Sequence, residues 1–96
     1  MKIFYRQKTP FILGLNMLKI ERDGDQLKVR ASDGKLVQGV LINEKVISNG
    51  LKSKLIAPFV FQQALDQIYR KLMDHPGVTE KEAKKTVNDL KTMIMP

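Results

Sequence analysis

The chain has 96 residues, carries a formal net charge of +7 and contains no cysteine. The length predicts one domain, residues 1–96, and the missing thiol excludes disulfide bonds, thiolate metal sites and cysteine nucleophiles. An apolar fraction of 43% and a charged fraction of 28% are typical of a globular protein and exclude a disordered one.

The N-terminal half carries most of the positive charge. Residues 1–57 contain 11 basic and 5 acidic residues, whereas residues 58–96 contain 6 and 5. Such an excess attracts polyanions over long distances, although it also serves simply to keep a small protein soluble. No segment reaches the roughly 18 consecutive apolar residues of a membrane span, and residues 1–8 lack the apolar core of a signal peptide. We therefore expect a complete cytoplasmic protein without a membrane partner.

Alternating apolar and polar residues predict an antiparallel β-meander over residues 1–57. A proline cannot donate to a strand ladder, so Pro10 should end the first strand, and Gly14 should bend the second. Two Asp-Gly pairs and the residues Asn43 and Glu44 mark the turns that follow. The five predicted strands cover residues 2–8, 11–22, 25–31, 36–42 and 45–48.

The Asp23-Gly24 pair is the strongest hairpin signal in the sequence. A two-residue loop at these positions places the apolar side chains of both strands on one face. The same register sets Lys19 directly opposite Lys28, with Arg30 beside them. Because like charges in a cross-strand pair destabilise a sheet, we interpret this basic face as a site for an anionic partner.

Two helices are predicted after Pro58, a residue suited to the first turn of a helix. Thr79 and Glu82 have the spacing of a capping box at the start of the second helix. Apolar residues recur at spacings of four, three and four on each helix: Phe61, Leu65, Ile68 and Leu72 on the first, and Ala83, Val87, Leu90 and Ile94 on the second. We therefore predict an α+β fold. In it, a five-stranded antiparallel meander, open or curled into a partial barrel, is followed by an antiparallel helix pair (58–96) packed on one face.

Residues able to carry out catalysis are scarce. His75 is the only histidine, and its place at a predicted helix end suits a cation that stabilises the helix dipole. The acidic residues fall in turns, in helix caps and outside the apolar stripes, where a partly buried acid–base pair is not expected. The glycines fit neither a phosphate loop nor a dinucleotide motif. We therefore predict a non-enzymatic protein with no metal site, no cofactor and no small-molecule substrate.

The leading functional interpretation is a binding module that contacts DNA or RNA phosphates through the cationic sheet face. Alternate residues on a strand lie about 6–7 Å apart, close to the spacing of phosphates along one nucleic-acid strand. Phe4 or Tyr5, in the first strand, would stack on a base. Against this, only 6% of residues are aromatic, and strand faces also carry lysine to discourage edge pairing. The predicted contact residues are Lys19, Lys28, Arg30, Lys35, Lys52 and Lys54.

The alternative is a protein-interaction module, an adaptor or inhibitor, that binds a protein partner or forms a homodimer. Apolar residues on the outer face of the sheet and methionines near the chain end would provide adaptable contacts. A last helical turn docked on the core would use the same methionines for packing instead. The predicted interface residues are Val37, Leu41, Met93, Ile94 and Met95.

Overall fold

The computed structural model describes residues 18–95. Its class is α+β, as predicted, but these residues form three strands in the antiparallel order β1-β2-β3 and three helices. The expected strand 2–8, with Phe4 and Tyr5, and residues 11–17 of the expected strand 11–22 lie outside the described residues. The elements are β1 (Lys19–Asp23), β2 (Gln26–Arg30), β3 (Leu36–Asn43), α1 (Glu44–Lys52), α2 (Pro58–Asp74) and α3 (Glu80–Ile94).

The β1–β2 hairpin has a two-residue loop, but this loop begins one residue later than predicted. Lys19 pairs with Arg30 rather than with Lys28, so the predicted Lys19–Lys28 opposition is wrong. The loop residues are Gly24 and Asp25, and only the first has a positive φ, 62°. That pattern is characteristic of a type II′ turn with glycine at its first central position. Cross-strand partners are displaced by two residues, so each side chain keeps its predicted face.

A bulge interrupts the pairing of β3 with β2. The register changes between Lys28 and Arg30 of β2, and Gly39 of β3 has a φ of 83°, a value that residues with a side chain rarely adopt. The irregularity brings Val37 into the core, where it is only 3% exposed. The predicted position of Val37 on the outer face is therefore wrong, whereas Leu41 does lie on that face.

The strand predicted at 45–48 is instead part of helix α1. The Asn43 side chain accepts a hydrogen bond of 2.9 Å from the Val46 backbone N–H, which caps the first turn of the helix. Ile47 and Leu51, four residues apart, pack against the core, so the apolar residues follow a helical spacing. The β-branched residues in this segment favour a strand, but the cap and the packing override that preference.

Helices α2 and α3 contain the predicted caps and apolar stripes. Pro58 occupies the first turn of α2. The Thr79 hydroxyl accepts from the Glu82 N–H at 3.2 Å, and the Glu82 carboxylate accepts from the Thr79 N–H at 3.0 Å. Helix α2 packs on β3 and α3, and α1 also packs on α3, so three helices replace the expected pair. The buried core comprises Leu27, Val29, Ala31, Val37, Val40, Ile42, Phe61, Leu65, Ile68, Leu72, Ala83, Leu90 and Ile94.

We expect Thr79→Ala to lower the free energy of unfolding by about 1 kcal/mol, because it leaves N-terminal N–H groups of α3 without their capping acceptor. Urea denaturation followed by circular dichroism measures the change. Thr92→Ala is the matched control, since Thr92 lies in the last turns of α3 and alanine there slightly improves helix propensity. Equal destabilisation by the two substitutions would contradict a role for the cap.

Candidate interaction surfaces

The outer sheet face, which points away from the helices, carries opposite charges side by side. Arg30 donates to the Glu21 carboxylate at 2.6 and 3.1 Å and to the Gly34 carbonyl at 2.7 Å. Lys28 Nζ lies 3.2 Å from an Asp23 carboxylate oxygen. The charged residues of this face are Lys19, Glu21, Asp23, Lys28 and Arg30. Three predicted nucleic-acid contacts therefore share a face, but two of them are paired with carboxylates.

These ion pairs reduce the positive charge that the outer sheet face presents. The hydrogen bond from Arg30 is the main cause that lowers the pKa of the Glu21 carboxyl, and the same bond raises the pKa of the Arg30 guanidinium. Both groups are thus charged at neutral pH and held against each other. A phosphate on this face would have to compete with Glu21 for Arg30 and with Asp23 for Lys28. Lys19 opposite Arg30 is the like-charge cross-strand pair that remains on this face.

The remaining predicted nucleic-acid contacts lie on other parts of the molecule. Lys35 is exposed in the β2–β3 turn, where its backbone N–H donates to the Asp33 carboxylate at 2.9 Å. Lys52 is in the last turn of α1 and Lys54 follows it. Helix α1 contacts α3 and β3, and its half-buried side chains pack on the core side of the sheet. The six predicted cations therefore do not form one surface.

The predicted protein-interface residues also divide between core and surface. Ile94 is buried in the core at the end of α3, as Val37 is in β3, so neither is available to a partner. Met93 is half-buried beside β1. Leu41 and Met95 are exposed, by 60% and 39%. The structure does not place these two residues in one patch.

A groove of about 240 Å³ follows the edge of β3 and is walled by α1 and α2. Both Leu41 and Ile42 line it, although consecutive strand residues point to opposite faces of a sheet. The groove must therefore run around the strand edge rather than over either face. Its apolar walls are Leu41, Ile42, Ile47, Phe61, Ala64 and Ile68. We call it the β3-edge groove; the sequence does not reveal it, because the β-branched residues of α1, which supplies one wall, favour a strand.

One positively charged side chain borders the β3-edge groove. The aliphatic part of Lys71 lies over Gly39, so close that a Cβ added to this glycine would stand 2.9 Å from Lys71 Cδ. Glycine at this position thus permits both the positive φ and the approach of the lysine. Lys71 forms no ion pair with an acidic residue in the part of the chain that the structure describes, so its ammonium group is available to an acidic partner.

Asp33 links the β2–β3 turn to the end of α2. The Lys35 N–H, followed by the His75 ring 2.9 Å away, lowers the pKa of the Asp33 carboxyl below its ordinary value of 3.8. Because this pKa is lower in the folded than in the unfolded state, the ionised carboxylate stabilises the fold at pH values above its ordinary pKa. That stabilisation is lost as the pH falls through the folded-state pKa. His75 ends α2 as expected from the sequence.

We therefore expect Asp33→Asn to unfold at a lower temperature than the wild type at neutral pH, with the difference disappearing in acid. Thermal unfolding followed by circular dichroism across the acidic range provides the measurement. Asp25→Asn is the control, because Asp25 is an exposed loop carboxylate with no side-chain hydrogen bond among residues 18–95. A pH-independent difference between Asp33→Asn and the wild type would contradict the linkage.

Comparison with protein-family models, curated proteins and solved structures finds no match to this chain. Within residues 18–95, no helix is long and apolar enough to cross a bilayer. The same residues contain no group of three or more His, Asp or Glu side chains arranged to hold a metal ion.

Proposed function

We propose that this protein is an interaction module that takes up an extended segment of a partner protein along the β3-edge groove. The observation that carries the proposal is that Leu41 and Ile42, which point to opposite faces of the sheet, line one groove. An extended chain in this groove would lie beside the open edge of β3. Its side chains would then contact the apolar walls on both sides of the strand.

The edge of β3 supports this mode of binding. Among residues 18–95, β3 pairs only with β2, so within this part of the chain the other edge of this eight-residue strand has no strand beside it. A peptide that adds a strand to such an edge gains main-chain hydrogen bonds, while pockets beside the strand select its side chains. Uncovered strand edges pair readily with another chain. Side-chain contacts in the β3-edge groove would select which chain pairs there.

The size and charge of the β3-edge groove define the chemistry of the partner segment. A volume of about 240 Å³ is below the roughly 300 Å³ at which small-molecule pockets begin, and it suits one or two aliphatic side chains. Lys71 borders the groove, and the whole chain has a net charge of +7, which attracts acidic partners. We therefore expect an extended segment with apolar residues and flanking Asp or Glu.

The second proposal is the function that the sequence favours, nucleic-acid binding through Lys19, Lys28, Arg30, Lys35, Lys52 and Lys54. It is weaker because Lys28 and Arg30 are engaged by carboxylates, whereas the walls of the β3-edge groove are apolar. Titrations of labelled single-stranded RNA and duplex DNA at rising salt provide its test. Tight binding that falls steeply with salt, as counterion release requires, would favour nucleic acid over a peptide.

A displayed library of random peptides, panned on the purified full chain, tests the peptide proposal. We expect selected sequences that combine apolar and acidic residues, and we expect them to lose binding to Leu41→Asp. Leu36→Asp is the matched control, because Leu36 is an exposed leucine at the other end of the same strand. Selected peptides that bind Leu41→Asp as tightly as the wild type would overturn the proposal.

A further inference from the structure

The loop between α1 and α2 exposes the most accessible large apolar side chains in the described chain. Leu55 is 86% exposed and Phe59, at the start of α2, is 65% exposed. Neither side chain contributes to the β3-edge groove. Contiguous exposed apolar side chains mark interaction sites, and Leu55 and Phe59 lie four residues apart in the chain.

The local backbone holds Leu55 in its outward position. The Ile56 N–H donates to the Gly50 carbonyl at 3.0 Å, and the Lys54 N–H donates to the Leu51 carbonyl at 3.2 Å. The Ile56 side chain packs directly on the buried Gly50, in space that a Cβ would occupy. Lys54 has a φ of 66°, a left-handed value uncommon outside glycine. Insertion of Ile56 thus turns Leu55 towards solvent on an anchored loop.

All charged residues in the stretch of sequence that contains this loop are basic. The sequence contains no Asp or Glu between Glu44 and Asp66. Phe59 also borders a groove of about 280 Å³ that it shares with Lys91 and Met95. We call the exposed residues around this loop and this groove the tip patch: Lys52, Lys54, Leu55, Phe59, Lys91 and Met95.

We propose that the tip patch binds the surface of an anionic lipid bilayer. Leu55 and Phe59 would enter the boundary between headgroups and acyl chains, as the apolar groups of interfacial proteins do. The lysines would contact the anionic headgroups, each strengthening binding about fivefold. The sequence-based expectation of no membrane partner followed from the lack of a spanning segment and of a signal peptide, and a protein that binds the bilayer surface needs neither.

A bilayer suits the tip patch better than a protein partner does. The Leu55 side chain projects from a loop and does not line a cleft. Such a side chain can insert into a bilayer without a complementary pocket on a partner protein. Lysine side chains extend their ammonium groups towards water and headgroups while their aliphatic parts cover apolar surface. With two inserted side chains and three cations, binding should be reversible, as it is for proteins with a single weak membrane anchor.

Co-sedimentation of the full chain with lipid vesicles tests the proposal. We expect binding to vesicles of three parts phosphatidylserine to seven parts phosphatidylcholine and little binding to phosphatidylcholine alone. The double variants Lys52→Glu/Lys54→Glu and Leu55→Asp/Phe59→Asp should each weaken binding more than tenfold. Circular dichroism establishes that both remain folded, as expected for exposed positions.

The controls separate the tip patch from the overall charge. Lys84→Glu/Lys85→Glu changes the net charge by the same amount on the exposed side of α3 and should leave most vesicle binding intact. An equal loss in this control, full binding by Leu55→Asp/Phe59→Asp, or no binding to the anionic vesicles would each overturn the proposal. RNA binding that requires Lys52 and Lys54 but not Leu55, without vesicle binding, would overturn it in favour of nucleic acid. Leu41→Asp should not affect vesicles, so the two proposed sites fail independently.

Discussion

Leu90→Ala should lower the free energy of unfolding by about 3 kcal/mol, the largest stability effect we expect from a single substitution. Leu90 is 0% exposed and lies in the core at the middle of α3. Truncation to alanine removes buried methyl groups and leaves a cavity. The lost burial and the cavity each destabilise the fold, and the two costs add in a close-packed interior. A domain of this size has a total stability of about 5–15 kcal/mol, so the loss is a large part of the whole.

Urea denaturation of Leu90→Ala and Leu55→Ala gives a matched comparison. Leu55 carries the same side chain at 86% exposure, and its truncation should change stability by less than about 0.5 kcal/mol. The comparison separates burial from residue type. Similar destabilisation by both substitutions would contradict the placement of Leu90 in the buried core.

Leu41→Asp should weaken binding of a library-selected peptide about a hundredfold. Leu41 forms a wall of the β3-edge groove, and loss of one apolar contact accounts for about 1.5–3 kcal/mol. The new carboxylate would also repel an acidic segment. Since each 1.4 kcal/mol is a tenfold change in Kd, these effects together reach about two orders of magnitude.

Isothermal titration calorimetry with the selected peptide measures the change in Kd. Leu41 is 60% exposed, so the fold should persist in the variant, and unchanged urea denaturation would establish this. Leu36→Asp should alter Kd by less than about threefold, because residue 36 lies outside the groove and its carboxylate faces Arg30 in an exposed pair of small energetic value. A Leu36→Asp variant as weak as Leu41→Asp would show that charge alone governs binding.

Local signals in the sequence identified α2, α3 and the faces of the hairpin, but not α1. Pro58 and the Thr79–Glu82 capping box fix helix ends through backbone geometry and hydrogen bonds that act within a few residues. The hairpin faces followed from the apolar alternation, which survives a two-residue change in cross-strand pairing. These features depend on residues a few positions apart in the chain, so the sequence alone is enough to predict them.

The features that decide the binding surfaces depend on tertiary structure. The turn type at Gly24 changed which charges meet, so the predicted Lys19–Lys28 opposition became the ion pairs of Lys28 and Arg30 with carboxylates. The bulge near Gly39 moved Val37 into the core. Helix α1 replaced a strand and supplied a wall of the β3-edge groove. Each change is small along the chain, but each alters which side chains share a surface.

Amide hydrogen exchange of the full chain, with and without the selected peptide, tests strand addition to β3 most directly. If a peptide pairs with the open edge, the outward-pointing backbone amides of β3 acquire hydrogen-bond partners and exchange more slowly. We predict that this added protection is confined to β3 and the adjoining walls from α1 and α2, and that it is lost in Leu41→Asp. Unchanged exchange across Leu36–Asn43 in the saturated complex would contradict binding along this edge.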